Sequence, residues 1–270
     1  MNMMYDNMNS VRNHRFCYQA NQFWGECLPC TASDFRSIAQ SALVNRKIDT
    51  RQMVEKAIGG GLSLDALTSD ADFRKFCQKQ EERTKVGALF AELPIEKKLL
   101  QWTNSLKMSL PCFIFAVREF EAVPKIDKVG NPILDANGKP VMFRRRIQKN
   151  ILELSGLFMF DADHLPMNPR EVYERTLKSQ FPWEVCLAHK TSSGYGLRLV
   201  CEARPEIGNI ADNQIELARE LGLLGVKGTT GKPVTDNSCV DASRISYAPR
   251  MNDIYFINEE KLFNNLKTNY

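Results

Sequence analysis

Ser155-Gly156-Leu157-Phe158-Met159-Phe160-Asp161-Ala162-Asp163 is the stretch that decides the fold. Its apolar part is short and bounded by Gly156 and Pro166, which suits a buried strand better than a helix. Side chains alternate along a strand, so Asp161 and Asp163 share one face while Phe160 and Ala162 take the other. Two carboxylates at a strand end repel each other unless a cation or donor intervenes, and Mg²⁺ is held by one or two carboxylates plus substrate phosphates. The competing reading is an exposed strand end followed by an acidic turn.

Downstream, residues 184–203 read as two strands joined by the turn Thr191-Ser192-Ser193-Gly194-Tyr195-Gly196. Gly194 and Gly196 let backbone N–H groups approach an anion, Ser192 and Ser193 add hydroxyl donors, and Arg198 is a charge-assisted partner for phosphate oxygens. A plain hairpin turn is the alternative. No Gly-Lys-Ser/Thr follows, which excludes a Walker A loop, and the run Gly225 to Lys232 also fails that pattern. Asn168 caps a helix over 169–179, and residues 207–224 form another. Asp241 stands at a strand start with Arg244 three residues on and Asp236 just before it; a structural salt bridge competes with a functional role there. Residues 243–258 close the chain with strand-like segments.

Upstream, residues 110–123 are aromatic and β-branched enough for a strand, and residues 141–148 return after a loop holding Asn137-Gly138. From Thr31 to about Lys107 the pattern is helical. Thr31 with Asp34 resembles a capping box for a helix through Arg46, Thr50 opens a short helix ended by Gly59, Gly60 and Gly61, Ser69 starts the next, and Pro94 precedes the last. The expectation is an α+β fold: a mixed or antiparallel sheet core with flanking helices over 108–270, preceded by a small helical region over 1–107.

Across 270 residues, 36 Lys and Arg against 32 Asp and Glu leave +4, too little to hold duplex DNA by charge alone. Any nucleic-acid contact must be local. The dense basic cluster is Arg144, Arg145, Arg146 and Lys149, which also reads as a solvated face. No apolar run approaches the roughly 18 residues of a membrane span, and the expected compartment is the cytoplasm. The eight cysteines make no secreted disulfide framework. His14, Cys17, Cys27 and Cys30, spaced His-x2-Cys-x9-Cys-x2-Cys, are of the type tetrahedral Zn²⁺ prefers, yet Phe16, Tyr18, Phe23 and Trp24 make the segment apolar enough to bury its cysteines as plain core.

In order and spacing these features resemble the three catalytic motifs of the archaeo-eukaryotic primase superfamily. The carriers are the strand ending Asp161-Ala162-Asp163, the Ser193-Gly194-Tyr195-Gly196-Leu197 turn, and Asp241 beyond a helix. More narrowly, residues 110–258 resemble the VirE N-terminal type of primase-like domain that precedes helicase modules in mobile-element and phage proteins. The resemblance implies a DNA primase or polymerase acting on single-stranded DNA with nucleoside triphosphates and two Mg²⁺ or Mn²⁺ ions. Asp161 and Asp163 would hold the metals, with Asp241 or its rival Asp236 as third carboxylate. Ser192, Ser193, Gly194, Gly196, Arg198 and Arg244 would bind the nucleotide. The wider superfamily has His where this chain has Arg198; Lys or Arg is expected in the narrower group. Groove candidates are Arg144 to Arg146, with Lys227 and Lys232, and Tyr195 and Tyr247 are candidate stacking platforms. A nucleic-acid-binding or regulatory module that keeps the fold without catalysis is the other reading.

Overall fold

The computed structural model describes residues 14–23, 25–83, 87–235 and 241–264. Two four-stranded antiparallel sheets face each other. The first orders β11 (Ser246–Tyr247), β3 (Cys112–Ile114), β1 (Phe16–Gln19) and β2 (Leu28–Cys30). The second orders β12 (Ile254–Ile257), β9 (Val185–Lys190), β10 (Leu197–Glu202) and β8 (Leu157–Ala162). Two further pairs join β4 (Val117–Phe120) to β7 (Ile151–Leu154) and β5 (Ala122–Pro124) to β6 (Met142–Arg144). The chain is therefore α+β, with antiparallel sheets.

All six residues of β8 are buried, because the second sheet is covered on both faces. Phe158, Phe160 and Ala162 pack with Leu197, Leu199 and Cys201 under α7 (Pro169–Glu174) and α8 (Ile210–Glu220). Leu157 and Met159 point the other way. They join Phe16, Phe35, Ile48 and Phe113 in the core between the sheets, where α1 (Ala32–Gln40) and α2 (Ala42–Ile58) also pack. Alternation thus sends Asp161 toward the first sheet, at the rim of that core.

The helical stretch contains α1, α2, α3 (Asp65–Thr68), α4 (Ala71–Glu81), α5 (Gly87–Ala91) and α6 (Ile95–Met108). The Thr31–Asp34 capping box is present, but its helix stops at Gln40. Ser41 leaves helical geometry at φ −58° and ψ 126°, and α2 then runs unbroken through Thr50. Thr50 opens no helix because α2 already buries a continuous stripe of Val44, Ile48, Arg51 and Val54 there. The single strand expected over 110–123 is three short ones, broken by a turn at Phe115–Ala116. The first sheet takes β1 and β2 from before residue 107 and β3 and β11 from after it, so one core spans that boundary. No helix among the described residues is long and apolar enough to cross a membrane.

Candidate functional site

Antiparallel register sets three polar side chains in one row across the second sheet. Asp161 on β8 is directly opposite Arg198 on β10, which is directly opposite His189 on β9. Direct partners in such a pair have Cβ atoms about 4.5–5.5 Å apart, within reach of each other's head groups. Arg198 Nη2 donates to Asp161 Oδ2, with both side chains 9% exposed. Arg198 Nη1 donates to Ser246 Oγ at 3.1 Å, so one guanidinium bridges the two sheets. Asp161 Oδ1 is buried and has no hydrogen-bond partner among the described residues.

His189 lies 2.9 Å from the Lys190 carbonyl through Nδ1, which as the donor leaves Nε2 a bare, buried lone pair. Burial, followed by the Arg198 charge, lowers its pKa from 6.5 to about 4. Between those values the unfolded chain takes up a proton that the folded protein refuses, so stability falls as pH drops. The expected loss attributable to His189 is about 3 kcal/mol across that window, and denaturant midpoints of His189→Gln should lack it. An unchanged pH profile in that variant would remove the buried neutral imidazole from this account.

Asp163 lies two residues beyond Asp161, where its N–H donates to Val234 O at 2.8 Å. Burial raises its carboxyl pKa, the Asp161 charge adds to the rise, and Arg198, Lys107 and His164 oppose it. Gly196 is pressed against this end of β8: a Cβ there would stand 2.7 Å from Ala162 O and Thr191 Oγ1 and 2.8 Å from Asp163 Oδ1. Backbone cannot yield to that contact. Gly196→Ala is expected to cost about 1–3 kcal/mol, read from the denaturant midpoint, as overpacking does in a tight interior. The turn itself closes through Thr191 N–H to Gly196 O and Gly194 N–H to Thr191 O, both at 2.9 Å, with Gly194 at φ 89°. The N–H groups of Ser192 and Ser193 have no partner among the described residues and are available to an anion.

Helical residues that the motif reading passed over also reach this site. Arg51 of α2 is buried, donates from Nη1 to Thr103 O at 2.9 Å, and lies 3.9 Å from Glu55. Its Nε is buried without a partner among the described residues. The Gln52 side chain comes within 3.5 Å of where a Gly194 Cβ would be, backing the turn. Lys107 holds Nζ 5.1 Å from the Tyr247 ring centroid. Burial lowers the Lys107 pKa, with Arg51 and Arg198 adding to the fall, while Asp163 and Asp161 oppose it. The available signal was Arg51 itself, a cation at a core position of an amphipathic helix.

Other expected residues lie elsewhere. Asp241 accepts from Ser243 N and Ser243 Oγ, both at 2.8 Å, and shares a small pocket with Met159, Gln214 and Arg244. Asp161, Asp163 and Asp241 form no common metal-holding group among the described residues, and Arg244 lines the same small pocket as Asp241. Asp236 is outside the described residues. Arg144 pairs with Glu26 at 3.5 Å, Arg146 donates to Gln19 Oε1 at 2.9 Å and Ser243 O at 3.1 Å, and Arg145 is exposed. Thr229 N–H donates to His164 O at 3.0 Å, holding the loop of Lys227 and Lys232 beside the end of β8. For the zinc set, Phe16 pairs with Cys30 and Cys17 with Pro29, which puts Cys17 and Cys30 on opposite faces of the first sheet. Cys17 and Cys27 pack with Ile114, Val117 and Phe120, whereas Cys30 joins the core between the sheets. His14 reaches Arg118 O at 3.0 Å, and the four groups do not converge.

Neither a family model, nor a curated protein, nor a solved structure matches this chain. The site's own chemistry is therefore the basis for function. Asp161, with Oδ1 unpartnered among the described residues and Arg198 on Oδ2, and Asp163 two residues on are oxygen ligands of the type a hard divalent cation takes, though no group of three or more ligating side chains forms among the described residues.

Proposed function

We propose that this chain is a DNA primase or polymerase, a template-directed nucleotidyltransferase that uses nucleoside triphosphates on single-stranded DNA. One observation supports the reading most: Asp161 is register-paired with Arg198 and the Asp163 carboxylate adjoins Gly196, so two carboxylates meet a glycine turn. This juxtaposition also agrees with the primase-type motif order. The wider setting belongs to the same proposal: cytoplasmic replication of a mobile element or phage, with a helicase module as partner.

Asp161 and Asp163 would hold Mg²⁺ or Mn²⁺, which when bound favours ionisation of a primer 3′-hydroxyl and neutralises charge on the departing pyrophosphate. The N–H groups of Ser192 and Ser193, without a partner among the described residues, bind phosphate oxygens together with the Ser192 hydroxyl. Arg198 holds Asp161 in place from β10, and Lys107 and Arg51 add fixed positive charge from the helical layer. Attack of the 3′-oxygen on the α-phosphorus breaks its bond to the bridging oxygen and releases pyrophosphate, with the hydroxyl proton passing to water.

A nucleic-acid-binding module without catalysis is the second reading, favoured by the engagement of Asp241 with Ser243. A synthesis assay on single-stranded DNA, with and without primer, separates the two when Mg²⁺ and Mn²⁺ and both nucleotide types are compared. Template-dependent product supports the enzyme; binding of the strand without product supports the module.

A further inference from the structure

A groove of about 790 Å³ runs between Gln19, Gln22, Phe23, Gly25 and Glu26 on one side and the β5–β6 hairpin on the other. We infer that this groove carries the single-stranded nucleic acid toward the carboxylate site, with a base stacked on Phe23 and phosphates on Lys125 and Arg145. The inference rests on the nucleotidyltransferase reading for what the strand is used for, and on the groove's own chemistry for what binds there.

Phe23 is 66% exposed at the groove, an aromatic side chain largely open to solvent. Lys125 and Arg145, also in the lining, are exposed and have no acidic partner among the described residues. The two acids in the lining are already engaged. Asp127 accepts from the N–H groups of Val129, Gly130 and Asn131 within its own loop, and Glu26 pairs with Arg144. An aromatic platform flanked by exposed cations suits a strand whose bases are unstacked, since duplex bases offer no free face for it.

The groove lining is also tied to β11, the strand whose Ser246 holds Arg198. Its lining residue Gln22 accepts from the Tyr247 hydroxyl, and Arg146 ties Gln19 to the Ser243 carbonyl. The Tyr247 ring lies under Lys107, and its neighbour Ser246 holds Arg198.

The test is fluorescence anisotropy with labelled oligothymidine and oligouridine, at two salt concentrations, with neither nucleotide nor divalent cation present. Phe23→Ala should weaken binding roughly 5- to 150-fold, the equivalent of about 1–3 kcal/mol for one stacked base, and Phe23→Trp should restore it. Arg145→Ala should lower the salt dependence by about one phosphate contact. Duplex DNA should bind more weakly than either oligomer. Wild-type affinity in Phe23→Ala, or tighter binding of duplex, overturns the groove assignment. Because no catalysis is read, a wild-type protein that makes no product but loses oligomer binding in Phe23→Ala keeps the groove and refutes only the transferase reading.

Discussion

Asp161→Ala is expected to destabilise the protein by about 3–5 kcal/mol, a fall in melting temperature of roughly 5–10 °C for a chain of this size. The reason is the partner left behind. Arg198 is 7% exposed, and without Asp161 its buried charge loses the carboxylate to which it donates between the two sheets. Removing both charges is a different experiment: the double variant Asp161→Leu with Arg198→Met should recover most of the loss, since apolar replacement of a buried pair is often neutral. Thermal denaturation of the two variants checks this. If the single variant melts with the wild type, the Asp161–Arg198 contact contributes little, and register alone holds the strands. The same reasoning makes Asp161→Ala a poor probe of catalysis, because lost activity and lost fold would coincide.

Asp163→Asn avoids that confusion and is expected to lower nucleotidyl transfer roughly 10³-fold or more. A positioned divalent ion contributes several kcal/mol to charge stabilisation in the transition state, and each 1.36 kcal/mol is tenfold in rate. Stability should move the other way. Burial raises the folded-state pKa of Asp163 above its ordinary 3.8, so the ionised carboxylate costs the fold stability that is fully retained only below that value. Without divalent cation, Asp163→Asn should therefore melt above the wild type at pH 7, with the difference closing as pH falls toward 3.8. Lower stability at neutral pH would show that Asp163 is a structural group, and transfer at the native rate would remove it from catalysis.

The parts of this architecture legible in the sequence were those carried by local pattern. Period-two alternation in Leu157–Asp163 set both carboxylates on one face, and Gly194 with Gly196 marked the turn before any partner was known. The row Asp161–Arg198–His189 was not legible, because it depends on register across three strands, including an irregularity between Val200 and Cys201. Arg51 and Lys107 were missed for a related reason: they come from helices far from the motifs in sequence and meet them only through packing. β1 and β2, four and three residues long, are too short to show alternation, and their cysteines invited a metal reading where most of the thiols fill core. Asp241 looked like a third ligand by motif order, but a local Ser243 offered its carboxylate two donors two residues away.

The central claim is that Asp161, Asp163 and the Ser192–Gly196 turn form one metal–nucleotide site. Electron paramagnetic resonance of Mn²⁺, titrated with and without a nucleoside triphosphate, tests it on wild-type protein and Asp163→Asn. The account predicts that wild type holds Mn²⁺ more tightly when the triphosphate is present, and that Asp163→Asn loses this gain. Equal Mn²⁺ binding by the two proteins, or no response to the triphosphate in wild type, would contradict it.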